Sequence, residues 1–263
     1  MSPGAADAER TRHLLAVTAG FSALYAAAVL LGRATQIPDS ALALAWPAAG
    51  VAVVWFLMLH DPLARACGVL GIVLVTGVVN QATGLEPVGA WLFGLVNAGN
   101  GLVAAWVIRR IDPSGHWPGP VNAMDRVWAL AWGAFAGAVT SAVLGGLVAA
   151  LRFGSDVEDG IFLIWFRNLL SGFVVASLLM AVPAVREARR RSWTTYGVVV
   201  GSTLLLTYLV MEVPWPITYA MIPPLVVVAL RSGPAITSVT VGLQGVIVVV
   251  MTATGMGPFE SVE

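Results

Sequence analysis

This sequence predicts an all-α fold: a polytopic bundle of about nine transmembrane helices, with eight as the alternative count and the amino end in the cytoplasm. Three observations predict it. Apolar residues make up 58% of the chain and charged residues 11%, against about 45–50% and about 25% in a soluble domain, so most side chains gain nothing from water. The apolar residues are gathered in runs that approach or reach the roughly 20 helical residues needed to cross a hydrocarbon core about 30 Å thick. The arginines are also divided very unevenly between alternate loops, as expected when basic loops are retained in the cytoplasm.

The runs lie near residues 13–32, 44–60, 64–81, 88–109, 127–151, 161–184, 193–211, 216–230 and 233–254. The first follows Arg10 and Arg12 and extends from Leu14 to Leu31. That is longer than the roughly 7–15 residues of a signal-peptide core, so residues 1–12 read as a cytoplasmic tail and the run as a first span. The second opens on Trp46-Pro47, an interfacial tryptophan followed by a proline tolerated in a first helical turn. Asn80 and Gln81 close the third run. The fourth carries Asn97 and Asn100, three apart and so on one helix face. In the fifth, Gly133, Gly137, Ser141 and Gly145 recur every fourth position, a small-residue stripe that lets another backbone approach closely. It suits packing inside the bundle or a homodimer seam.

The sixth run, GIFLIWFRNLLSGFVVASLLMA, contains Arg167 and Asn168, and the seventh ends at Glu212. The eighth is short and holds Pro223-Pro224, which remove donors and are expected to break it or make it re-entrant. The ninth contains Gln244. With the amino end inside, Arg10, Arg12, Arg65, Arg109, Arg110, Arg126, Arg186, Arg189, Arg190, Arg191 and Arg231 fall inside and only Arg33 and Arg152 outside. Trp46, Trp91, Trp165 and Trp215 then sit near the outer interface and Trp106, Trp128 and Trp193 near the inner one.

The same composition excludes several kinds of chemistry. The 14 basic residues are all arginine, so there is no Schiff-base lysine and no phosphate-loop lysine. Cys67 is the only cysteine, and His13, His60 and His116 stand in no metal-binding spacing. No cofactor or metal is expected. Formal net charge is zero, which offers nothing to nucleic acid.

Arg167 poses the sharpest question, because a charge at the centre of a spanning helix costs about 2.5–3.5 kcal/mol on insertion scales. A carboxylate would offset that cost. Matched depth makes Glu212 the expected partner, with Asp156, Glu158 and Asp159 next. Arg167, Asn168, Asn97, Asn100 and Gln244 together would line an interior that holds the helices in register or receives a ligand such as a small anion or a lipid.

Three stretches carry a family resemblance: LAWPAAGVAVVWFL, LFGLVNAGNGLVAAWVIRRI, and YAMIPPLVVVALRSGPAITS with the closing TATGMGPF. Trp46, Pro47 and Gly50, then Pro223 and Pro224, Arg231 and Gly233, and finally Gly257, Pro258 and Phe259 occur in an order that resembles the first type of membrane-associated sensor domain, in the MASE family. The likeness runs from about Ala41 to Phe259. It implies a bacterial inner-membrane input module over residues 13–263, relaying to a cytoplasmic diguanylate cyclase, phosphodiesterase, histidine kinase or phosphatase output domain. It also implies a further helix after Phe259 leading to that output domain. Where many members carry an acidic residue before the glycine of the sixth helix, this chain has Arg167-Asn168, so a ligand role is not carried over to that position. Sequence alone therefore favours a non-catalytic sensory module, with a small-solute transporter as the alternative because a discontinuous helix lies beside intramembrane polar groups.

Overall fold

A computed structural model describes residues 3–36, 42–114, 124–154, 157–188, 193–212 and 218–256. Among them the regular structure is helical: α1 Pro3–Arg33, α2 Ala48–Met58, α3 Pro62–Ala82, α4 Pro87–Ile111, α5 Met124–Phe153, α6 Val157–Ala188, α7 Trp193–Glu212, a 3-10 turn at Thr218–Met221, and α8 Ile222–Ala253. Five of these contain stretches long and apolar enough to cross a membrane: Leu14–Arg33, Pro62–Ala82, Pro87–Ile111, Asp125–Phe153 and Gly160–Ala181. Shorter apolar helical stretches occupy Ala48–Met58, Gly197–Glu212 and Ile236–Thr252.

Local chemistry sets most of the boundaries. Asp61 caps α3 by accepting from the Ala64 N–H at 2.9 Å, and Pro62 fills the first turn, where no donor is required. The other end of α3 closes in a Schellman motif. The Leu85 N–H donates to the Asn80 carbonyl and the Gly84 N–H to that of Gln81, with Gly84 at φ 93°. Glu86 then caps α4 through the Val88 and Gly89 N–H groups, again with a proline following. The helix α1 begins well before the apolar run: Pro3 stands at its first position, where a proline is tolerated, and from Ala5 to His13 no glycine or proline interrupts it.

Two elements differ from the sequence expectation. The 44–60 run is not a full-length helix: residues 42–47 are irregular and α2 has 11 residues, about 16 Å at 1.5 Å per residue, too short to span. In the last third, Pro223 and Pro224 do not divide a helix. They lie in the first turn of α8, where their missing donors cost nothing. The interruption comes at Gly233, with φ 74° and ψ 173°, just before Pro234. Only glycine adopts that backbone cheaply, and a residue preceding proline is biased away from helix.

The contacts divide the chain into two compact units, Met1–Trp117 with Trp128–Phe173, and Pro118–Val127 with Val174–Glu263. In the first unit α2 is the buried element, with every residue from Ala48 to Leu57 inside and α1, α3 and α4 packed on it. On α5, Trp128, Trp132, Phe135, Val139, Val143 and Leu147 are exposed while Ala134, Ala138, Ala142 and Ala149 are buried. Large apolar groups outside and small ones inside is the arrangement of a helix that faces lipid and packs closely within. In the second unit α7 and α8 pack around Val210, Met211, Met221 and Met251, with Thr203, Thr207, Thr240 and Gln244 buried.

The small-residue stripe of α5 is filled from within the first unit. A Cβ on Gly137 would stand 2.7 Å from the Asn100 carbonyl oxygen, and one on Gly133 would stand 2.9 Å from that of Ala104. Gly145 faces Ile164 and Val96. Gly137→Ala is therefore expected to lower stability by about 1–3 kcal/mol through overpacking. Gly99→Ala, whose Cβ would meet only Thr140 at 3.8 Å, should be near neutral. Unfolding midpoints in mixed detergent micelles provide the comparison, and equal midpoints would remove the close approach of α5 to α4.

Candidate functional site

A helix leaves about four N–H groups and four carbonyls without intrahelical partners at its ends. For α2 both ends are inside the first unit, so side chains must supply what water cannot. At the carboxyl end, the Arg109 Nη2 donates to the carbonyls of Phe56 at 2.7 Å and of Leu57 and Leu59, both at 3.1 Å. Arg65 adds bonds to the Leu59 and His60 carbonyls. Both cations also oppose the negative end of the helix dipole.

At the amino end, the irregular lead-in 42–47 is tied down residue by residue. The Leu44 N–H donates to the Thr35 carbonyl, and the Ala45 N–H to the Thr35 hydroxyl. The Trp46 N–H donates to Ser171 Oγ at 3.3 Å. The Ala43 carbonyl accepts from Arg167 Nη1 at 2.8 Å.

The same guanidinium lies over the Trp46 ring, 5.2 Å from its centroid, a contact worth about 2 kcal/mol or more when desolvated. Gly32 makes room for that ring, since a Cβ there would stand 2.6 Å from it. The partners of Arg167 within its unit are thus a carbonyl and an aromatic face, where the sequence suggested a carboxylate. Glu212 belongs to the second unit, exposed at the end of α7 with the Tyr208 hydroxyl one turn before it.

Around this point the intramembrane amides converge. Asn168 Nδ2 donates to Ser141 Oγ at 2.7 Å, and that hydroxyl donates to the Ala138 carbonyl, so the stripe of α5 reaches the polar cluster through its serine. Asn100 packs on Gly137. Arg33, Trp46, Asn80, Asn97 and Arg167 line a cavity of about 20 Å³, closed by Leu85 and Phe93. Among the described residues, several buried atoms here lack a hydrogen-bond partner: Arg167 Nε, Trp46 Nε1, Asn97 Nδ2 and Asn80 Oδ1, with Asn100 Nδ2 and Asn168 Oδ1 on the same helices. The Asn97 amide has the Tyr25 hydroxyl, itself bonded to Thr76, within reach. Arg33, at the end of α1, donates to the hydroxyl and carbonyl of Thr83 at 2.9 and 3.1 Å.

Of the other positions singled out from sequence, Pro47 is the N-cap of α2 and Gly50 is buried inside it. Gln244 is buried in the second unit, Arg231 is exposed on α8, and Gly257, Pro258 and Phe259 lie outside the described residues. Arg33 and Arg109, which sequence placed at the ends of apolar runs and did not single out as site residues, are the additions. The legible signal for Arg109 was its position at the very edge of an apolar run. No group of three or more metal-binding side chains forms among the described residues.

Near the cavity, Glu86 pairs with Arg152 at 2.8 Å while also capping α4. The Arg152 hydrogen bond, and after it the Gly89 N–H, holds the Glu86 carboxyl below its ordinary value of 4.5.

The MASE1 family model matches residues 15–263. The chain therefore belongs to the MASE1 family, a family of membrane sensory domains. No curated protein and no solved structure matches it.

Two outcomes follow. Arg109→Ala leaves buried carbonyls of α2 without a donor and should cost about 1–3 kcal/mol. Arg110→Ala, which loses only a contact with the exposed Trp106 ring, should stay within about 0.5 kcal/mol. Micellar unfolding of the two variants checks the contrast. For Glu86, a lowered folded-state pKa means that its stabilising contribution is complete above the ordinary carboxylate range and is lost as pH falls through the folded value. Glu86→Gln should flatten the acid side of the stability profile, measured as unfolding midpoint against pH.

Proposed function

Taking MASE1 membership as the premise, we propose that this chain is a bacterial inner-membrane input module, which receives a stimulus at the Arg167–Trp46 cluster and passes it to a cytoplasmic effector. The family match over residues 15–263 carries this reading. The amino end is cytoplasmic on this view, because ten arginines cluster at the helix ends and connections that it places inside and two at those outside, leaving aside Arg231 within α8. The ends of α1 and α3, joined by Arg33 and Thr83, then face the outside, and the cavity lies beside them.

The chemistry suits a two-state input. The lead-in 42–47 is held by several hydrogen bonds with Thr35, one to Ser171 and one from Arg167, and those with Ser171 and Arg167 can each be exchanged for a bond to a ligand at small net cost. Arg167 and Asn168 stand on α6, which continues to Ala188, so a change in their partners acts directly on a helix that runs toward the cytoplasmic loop. A differential affinity of a few kcal/mol is enough to shift such an equilibrium. The effector would be a diguanylate cyclase, a phosphodiesterase, a histidine kinase or a phosphatase.

One observation favours a second reading. A half-length buried helix entered through an irregular segment, beside intramembrane amides, is also how secondary transporters build substrate sites. The test joins the full chain by a helix to a diguanylate cyclase domain in reconstituted bilayers and compares cyclase activity in the parent, Trp46→Phe and Asn168→Ala. A severalfold change of output with insertion unchanged is the expected result. Equal output from all three overturns the sensory reading, and small-solute flux through liposomes carrying the chain would replace it with transport.

A further inference from the structure

The cavity beside Arg167 combines features that a purely packed interior lacks. Four of its lining residues are more than nine-tenths buried, with exposures of 7% for Arg167, 6% for Asn97, 5% for Trp46 and 2% for Asn80. Each carries a polar atom with no hydrogen-bond partner among the described residues, although the Asn97 carboxamide stands within reach of the Tyr25 hydroxyl. Leaving a buried polar group unmatched costs about 1–3 kcal/mol, so four around one small space indicate a guest that satisfies several together.

The chemistry of those atoms selects the guest. Arg167 Nε, Trp46 Nε1 and Asn97 Nδ2 are all donors. The one acceptor, Asn80 Oδ1, belongs to a carboxamide whose two ends exchange by a simple flip. A second guanidinium, that of Arg33, borders the space, and no carboxylate lines it among the described residues. A cation would meet two guanidiniums; an anion meets donors and positive charge in a medium where both act strongly. Size narrows the class further. A volume of about 20 Å³ admits one water-sized particle, which needs about 10–15 Å³, and excludes phosphate esters, carboxylate metabolites and lipid headgroups.

From this geometry we infer that the first unit holds a binding site for a single small monovalent anion of halide size, formed by Arg167, Asn97, Trp46, Asn80 and Arg33. The anion neutralises the guanidinium that has no described carboxylate, and holds it over Trp46 with its Nη1 on the Ala43 carbonyl. Occupancy is thereby linked to the lead-in of α2. This names a ligand class for the proposed sensory site and rests on that reading only for the consequence of binding, not for binding itself.

The experiment measures thermal unfolding of the full chain in nanodiscs at constant ionic strength while gluconate is replaced by chloride or bromide. The expected result is a saturable rise of about 5 °C with either halide at large excess over Kd, and none with sulfate. Asn97→Ala should move the half-saturating concentration at least tenfold. Asn97→Asp, nearly isosteric, brings a fixed negative charge to the cavity. It should unfold at the halide-saturated temperature in gluconate alone and show no halide dependence, which keeps the test decisive if the alanine variant folds poorly. Equal midpoints in gluconate and chloride, or an unchanged halide response in Asn97→Asp, overturn the site and leave a buried water as its occupant. Such a failure leaves the sensory reading standing. Halide binding without any change in cyclase output removes the sensory reading and leaves the site.

Discussion

The structure depends on one constraint: a half-length helix whose end groups lie largely inside its unit must have them satisfied by other parts of the chain. In hydrocarbon an unmatched peptide group costs several kcal/mol, and α2, buried from Ala48 to Leu57, exposes that cost at both ends. Arg109 meets the carbonyls at one end, and Arg167, Ser171 and Thr35 meet the lead-in at the other. These partners, donors and acceptors alike, come from α4, α6 and the turn that follows α1, so the same bonds that complete α2 and its lead-in also fix those segments around it. Arginine suits the task because its planar head presents several donors and never loses its charge.

This explains why an arginine is tolerated deep in α6. Among the described residues of its unit, its insertion cost is offset by a carbonyl dipole and an aromatic face, each a partial negative centre. Neither neutralises a full positive charge, and Nε has no partner. A buried cation matched only by dipoles is sensitive to what else enters its cavity, and that sensitivity is what an input module requires.

Membership of the MASE1 family and the geometry of α2 address different questions. The first places the chain among membrane sensory domains. The second identifies where, within the first unit, structure is held by few and exchangeable bonds. The Trp-Pro pair gains a physical meaning here. Trp46 is the platform for Arg167, and Pro47 opens a helix at the point where the irregular lead-in ends. Asn168 and Ser141 then join that platform to the small-residue face of α5.

Composition and hydropathy alone determined the helical class and the position of nearly every helix. They also carried the family, through short motifs whose order is visible in one chain. Local chemistry sets helix ends such as those at Asp61-Pro62 and Gly84, which the apolar runs by themselves did not mark. Asn97 and Asn100 were legible as one face, because helical spacing is a property of neighbours in sequence. The tertiary structure decided the rest: that the second run is a half-helix, that Gly233 and not Pro223-Pro224 interrupts α8, and that Arg167 meets Ala43 and Trp46. All three depend on where a backbone group far away in sequence finds its hydrogen bond. Proline reports only a missing donor and arginine only a surplus of them, and which acceptor each donor reaches is settled when the helices pack.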